Sequence, residues 1–172
     1  MKQKVSDYIA EYIAQWGIRD VFTVTGGGAM HMNDAFGHHK MLHCTYQHHE
    51  QACAMAAEAY ARLGNKMAAV CVTTGPGATN AITGVLGAWM DSIPMLVFSG
   101  QARYATTVSA SGLPLRSMGV QECNIVPVVK SLTKYAHMIV HPENIRYHLE
   151  KALYLAVNGR PGPVWLDIPL DV

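Results

Sequence analysis

"MAAVCVTTGPGATNAITGVLGAWMDSIPMLVFSG", residues 67–100, reads as a strand, a sharp turn, a helix and a second strand. Both strand segments, "MAAVCVTT" and "IPMLVFSG", are unbroken apolar runs rather than alternating ones, so each is expected to be covered on both faces. Gly75-Pro76-Gly77 supplies the turn, and "ATNAITGVLGAWM" supplies a crossover helix. Continuously apolar strands joined through a helix predict a parallel pair.

The same unit recurs outward in both directions. Upstream, Val5, Tyr8, Ile9, Tyr12, Ile13 and Trp16 repeat at helical spacing and Gly17 stops them, so "MKQKVSDYIAEYIAQW" reads as an amphipathic helix rather than a signal peptide. "DVFTVT" is a short buried strand closed by Gly26-Gly27-Gly28. A brief helix over about 29–37, the strand "MLHCTY" and an alanine-rich helix over about 49–63 follow. Downstream, residues 101–120 lack periodicity and read as a long loop, a length that in a compact domain points to function or mobility. A short helix near 121–129, a strand near 132–139 and a helix opened by Pro142 come next. That helix carries Ile145, Leu149, Ala152, Leu153 and Ala156 on one face, and "GPVWLDIPL" is the last strand. Strands alternate with helices throughout, which predicts a three-layer α/β/α domain on a mostly parallel six-stranded sheet.

Composition narrows what such a domain does. The chain has 172 residues, enough for one domain, and a formal net charge of +1, so no global field draws it to nucleic acid or an anionic membrane. Charged residues make up 15% against roughly 25% in ordinary soluble domains. That deficit implies a hidden surface, covered by another copy or another domain. No apolar run approaches the ~20 residues of a membrane span. Cys44, Cys53, Cys71 and Cys123 are scattered without a CxxC, as expected of reduced cysteines in a cytoplasmic protein.

Several features invite chemistry. Gly26 and Gly28 begin a GxGxxG pattern that fails at His31, and Gly75 and Gly77 begin one that fails at Asn80. Neither carries the Lys-Ser/Thr of a phosphate-binding loop. Both turns nevertheless fall at the carboxyl ends of strands, where ligands of parallel sheets bind. His38, His39, His43, Cys44, His48, His49 and Cys53 crowd one region without metal-ligand spacing, so no metal site is expected. Gly77, Ala81, Gly84 and Ala88 form a small-residue stripe, and Ala52, Ala56, Ala59 and Leu63 form another. Each admits a closely packed partner, within the domain or across a dimer, with at least one expected at an interface. Glu50 is the lone carboxylate in the first turn of the alanine helix. The ordinary use of such a residue is to face water and complement the helix dipole.

Four stretches together resemble one family. "VFTVTGGGAMHMNDAF", "HHEQACAMAAEAYARLG", "VTTGPGATNAITGVLGAWMDSIPMLVFSGQ" and "NGRPGPVWLDIPLDV" are similar to the amino-terminal pyrimidine-binding domain of thiamine-diphosphate-dependent enzymes, nearest to the acetolactate synthase group. The resemblance runs over essentially the whole of residues 1–172 and is weakest at 101–120. It implies a catalytic role for Glu50, which would hydrogen-bond N1′ of the cofactor's aminopyrimidine and favour the tautomer that takes the proton from thiazolium C2. The cofactor then serves as electron sink for decarboxylation of a 2-keto acid such as pyruvate, whose acyl carbanion equivalent passes to an acceptor. Alanine surroundings withdraw water from the acid while the helix amino terminus favours its anion, and desolvation is expected to prevail.

The resemblance also implies that Pro76 and Asn80 pack near the aminopyrimidine, that Gly26 and Gly27 line the cofactor, and that Gln121 lies near the active centre. Val120 stands where acetolactate synthases have Phe, and Val24-Thr25 where relatives have Tyr-Pro, which leaves the acceptor open among pyruvate, 2-ketobutyrate and a keto-sugar. Thiamine diphosphate with Mg²⁺ is the implied cofactor; FAD in the complete enzyme stays open. The middle domain and the diphosphate-binding domain, which holds Mg²⁺, are expected outside this chain, on the same or a neighbouring subunit of a homodimer or homotetramer. An excised domain is favoured over the small subunit of a split 2-keto acid decarboxylase. A non-catalytic dimerising module is disfavoured, because it need not keep Glu50.

Overall fold

Each central strand feeds two cores at once. In the computed structural model, which describes residues 3–172, Ala69 and Cys71 point into one apolar cluster and Val70 and Val72 into the other. Met95 and Val97 likewise part from Leu96 and Phe98, and Trp165 parts from Val164 and Leu166. The period-2 alternation of a strand divides one apolar run between two faces. Burial of each Val, Leu, Met or Phe among them stabilises the fold by roughly 1.5–3 kcal/mol before entropy is counted.

Six strands form the sheet: β1 (Asp20–Thr23), β2 (His43–Tyr46), β3 (Ala69–Val72), β4 (Met95–Gln101), β5 (Tyr135–Met138) and β6 (Pro163–Pro169). They lie in the order β2-β1-β3-β4-β6-β5, and all five pairs are parallel. Helices α1 (Val5–Trp16), α2 (Met30–His38) and α8 (Ile145–Val157) cover one face. Helices α3 (Glu50–Gly64), α5 (Ile82–Met90) and α7 (Ile125–Val129) cover the other. The connections β1–α2–β2 and β5–α8–β6 run one way across the sheet, and those through α3, α5 and α7 run the opposite way. Right-handed crossovers then require opposite faces for the two sets.

The expected helix over residues 1–16 forms over Val5–Trp16; Met1 and Lys2 lie outside the described residues. The crossover helix after Gly77 is interrupted. It divides into α4 (Pro76–Asn80), with Pro76 at its first turn, and α5, and between them Ala81 bonds back three residues to the Ala78 carbonyl at 3.2 Å. The segment 101–120 contains a 3-10 turn over Tyr104–Thr106 and one short α-helix, α6 (Val108–Ser111), and α7 begins four residues later than expected, at Ile125, after the chain turns at Gln121.

Of the two small-residue stripes, one is internal. Gly77, Ala81, Gly84 and Ala88 are all buried, and a Cβ on Gly84 would lie 2.5 Å from the Ala54 Cβ and 2.8 Å from the Met55 nitrogen. Gly84 therefore joins α5 to α3 within this chain. The other stripe points outward, with Leu63 at 92% exposure. Met55 on α3 and Leu86, Trp89 and Met90 on α5 are exposed apolar side chains as well.

Candidate functional site

Strands β1 and β3 are neighbours, yet the chain leaves β1 toward one sheet edge and β3 toward the other. Such a reversal opens a crevice at the carboxyl ends of the two strands. The glycine segment after β1 and the GPG turn after β3 are its two lips. Thr73 holds them together: its Oγ1 accepts the Gly28 N–H at 3.1 Å, and its Cγ2 lies where a Cβ on Gly26 or Gly77 would stand, at 2.6 and 2.7 Å. A side chain at either glycine would push the lips apart. Asn33 adds a brace from α2, donating to Thr23 Oγ1 at 3.1 Å, and Thr23 donates in turn to the Cys71 carbonyl at 2.8 Å.

Glu50 enters the crevice from α3. His49 caps that helix, its Nδ1 accepting the Gln51 N–H at 3.1 Å, so Glu50 is the first helical residue. Asn80, the last residue of α4, donates from Nδ2 to Glu50 Oε2 at 2.9 Å. Oε1 lies beside Gly77, 3.3 Å from where a Cβ would stand. Glu50 is half-buried, which corrects the expectation of an acid enclosed by alanine. Ala54 and Ala57 turn toward α5 and the sheet, while Ala52 faces outward, so within one chain the carboxylate keeps an open side. One turn on, the buried Cys53 thiol is pushed up to about 12 by burial and by the neighbouring Glu50. Cys71 is pushed up to about 12 by burial. Both stay protonated and offer no thiolate nucleophile.

The structure thus joins Glu50, Asn80 and the GPG turn, with Pro76 exposed at its rim and Gly26 reached through Thr73. Gly27 faces open space. Gln121 arrives from the far loop: its backbone carbonyl meets Gly75 where a Cβ would collide, and Gly75 keeps φ at +58°. Thr73, Asn33 and Glu122 escaped sequence reasoning. Thr73 adjoins the GPG turn and was discoverable there, whereas Asn33 braces β1 from α2 and Glu122 gathers N–H groups of an aperiodic loop, contacts that no apolar pattern or motif announces. Among the described residues no group of three or more His, Cys, Asp or Glu is placed to hold a metal. His38, His39 and His43 meet separate carboxylates, Asp34, Glu11 and Asp20. A cavity of about 390 Å³ lies beyond the glycine segment, between Val5, Ala29, Met32, Ile168 and Asp171, and Glu50 does not line it. The crevice itself is an open edge rather than a closed pocket.

A parallel sheet between two helix layers, with one carboxylate at a glycine-walled switch point, defines a three-layer α/β domain of the class whose ligands bind at the carboxyl ends of strands. Residues 3–113 match the family model described as thiamine pyrophosphate enzyme, N-terminal TPP binding domain, and the chain belongs to that family. It is 36% identical over 173 aligned residues to acetolactate synthase 2, chloroplastic, of Zea mays, covering 99% of this chain and 25% of the relative. It is 35% identical to the chloroplastic acetolactate synthase of Arabidopsis thaliana, again over 99% of this chain and 24% of the relative. With the acetolactate synthase large subunit of Buchnera aphidicola subsp. Schizaphis graminum the identity is 37%, over 97% of this chain and 28% of the relative. The chain spans about a quarter of the length of these curated relatives.

Proposed function

We propose that residues 1–172 are the pyrimidine-binding domain of a thiamine-diphosphate-dependent carboligase of the acetolactate synthase type. Its reaction is decarboxylation of a 2-keto acid such as pyruvate and transfer of the acyl carbanion equivalent to an acceptor. The Glu50–Asn80 pair at the glycine-walled crevice carries this reading. One carboxylate oxygen is engaged by an amide and the other lies beside a residue without a side chain, a donor set that suits a flat heteroaromatic ring. When bound, thiamine diphosphate would supply a carbon acid whose deprotonated form is the nucleophile for the keto group, and an electron sink for the decarboxylated fragment. Glu50 would hold and return the proton at the ring nitrogen, and Asn80 keeps its carboxyl in one orientation. Pro76 and Gly77 would flank the ring, Gly26 and Gly27 would offer backbone opposite, and Gln121 would close the side beyond Gly75.

The diphosphate and Mg²⁺ belong to a partner domain of the same or a neighbouring subunit, in a homodimer or homotetramer. The open edge of the crevice and the exposed apolar surface of α3 and α5 support that arrangement. The four free cysteines support a cytoplasmic, reducing setting. The chain alone is therefore expected to bind thiamine diphosphate weakly, and the complete enzyme to release CO₂ from a 2-keto acid only with cofactor and Mg²⁺ present. Titration calorimetry on this chain would overturn the domain assignment by returning micromolar, Mg²⁺-dependent binding.

A further inference from the structure

Residues 102–124 reach the crevice at Gln121, and one carboxylate gives the segment its shape. Glu122 accepts the backbone N–H of Val108 on Oε1 at 2.7 Å, and those of Met118 and Gly119 on Oε2 at 2.8 and 3.0 Å. Burial opposes its charge, yet the three N–H donors hold the carboxyl below its usual range. Apolar burial does not order this segment, since Leu113, Leu115, Met118 and Val120 are all exposed. Gly119 presses onto the loop's own beginning, where a Cβ would come 2.6 Å from that of Ala102. The other side of the turn is tied to the sheet. Buried Gln101 donates from Nε2 to the Cys123 carbonyl at 2.7 Å and to Asp167 Oδ2 at 3.0 Å.

Between these ties stands Gln121, at φ +57°, a conformation that residues other than glycine rarely adopt. Its carbonyl packs on Gly75, which also has positive φ. A strained residue persists only where its surroundings over-determine it. Here the surroundings are Glu122 before the sheet and Gln101 within it.

We propose that Glu122 is a positioning residue for the site: by gathering the N–H groups of Val108, Met118 and Gly119 it fixes the Gly119–Cys123 turn and holds Gln121 against Gly75. The glutamate touches no reacting atom and acts through Gln121. The proposal rests on the functional reading of the crevice for its catalytic consequence, but not for its structural one. Glu122→Gln keeps the volume and turns a donor toward groups that are themselves donors, whereas Glu122→Asp keeps the charge.

Two measurements separate the consequences. Hydrogen exchange on this chain is expected to speed at least tenfold at Val108, Met118, Gly119 and residue 122, whose own N–H bonds the Gly119 carbonyl, in Glu122→Gln, with the amides of β3 and β4 unchanged and Glu122→Asp closer to wild type. Unchanged exchange at those four amides overturns the proposal, as does equal loosening of β3 and β4. In the complete enzyme, Glu122→Gln and Gln121→Ala are each expected to lower kcat by roughly 10–100-fold. Combined, they should cost little more than the worse single change, because both act through one group. Multiplying effects overturn the positioning role. Should the wild-type enzyme need no thiamine diphosphate, the functional reading fails while the exchange result still decides the clasp.

Discussion

Asn80 Nδ2 lies 2.9 Å from Glu50 Oε2, joining the last residue of α4 to the first of α3 across thirty residues of chain. The bond leaves the second carboxylate oxygen on the Gly77 side, and it makes the two residues testable as a pair. Glu50→Gln preserves an oxygen for Asn80 and places an amide, which carries no acidic proton, beside Gly77. Stability is expected to hold, while deprotonation of cofactor C2 in the complete enzyme slows by the roughly 10²–10⁴ of lost acid–base catalysis. Hydrogen–deuterium exchange at C2, followed with cofactor and Mg²⁺ bound, reads this directly. Wild-type exchange in the variant would make Glu50 an ordinary first-turn glutamate.

Gly84 belongs to the fold. A Cβ there meets Ala54 and the Met55 backbone at 2.5 and 2.8 Å, and backbone yields less readily than a side chain. Gly84→Leu is expected to cost about 3 kcal/mol or more through overpacking between α3 and α5. Urea denaturation measures it, and a variant as stable as wild type would mean the two helices part freely.

Leu63 makes the opposite prediction. At 92% exposure it contributes little to the core. Leu63→Asp should leave the melting temperature within a few degrees while weakening self-association about tenfold or more, if the outer face of α3 is a subunit contact. Sedimentation at tens of micromolar distinguishes the outcomes. A wild-type chain that stays monomeric there would remove the interface from the proposal.

Asp167 gives the stability a pH signature. Burial lifts its carboxyl from 3.8 to about 7, against hydrogen bonds donated by Ser99 at 2.5 Å and Gln101 at 3.0 Å. Between about pH 4 and 7 the folded chain keeps a proton that the unfolded chain has released, so this group's contribution falls as pH rises and levels off above 7. Asp167→Asn should therefore gain on wild type across that window, on the order of 1 kcal/mol per pH unit. Parallel denaturation of both proteins at pH 4.5, 6 and 8 tests the difference, and equal slopes would place the Asp167 proton elsewhere.

The six strands, their parallel pairing and the layers of helices were legible in the sequence by itself, because apolar runs and helical periodicity are local records of which faces meet a core. Val70 beside Cys71 and Val97 beside Phe98 announce strands buried on both sides before any partner is known. The GPG turn announces a sharp exit from β3. What local pattern does not encode is the direction in which successive connections cross the sheet. That order placed the Gly84 stripe inward on Ala54 and left Leu63 outward, although the two stripes read alike. It set Thr73 between two glycine segments, left Glu50 half-exposed, and brought Gln121 from the far loop onto Gly75. Sequence determined the elements, since their causes lie within a few residues. Only the tertiary structure decided the geometry of the candidate site, since its contacts join segments far apart in the chain: Glu50 to Asn80, Thr73 to Gly28 across the reversal between β1 and β3, and Gln121 to Gly75.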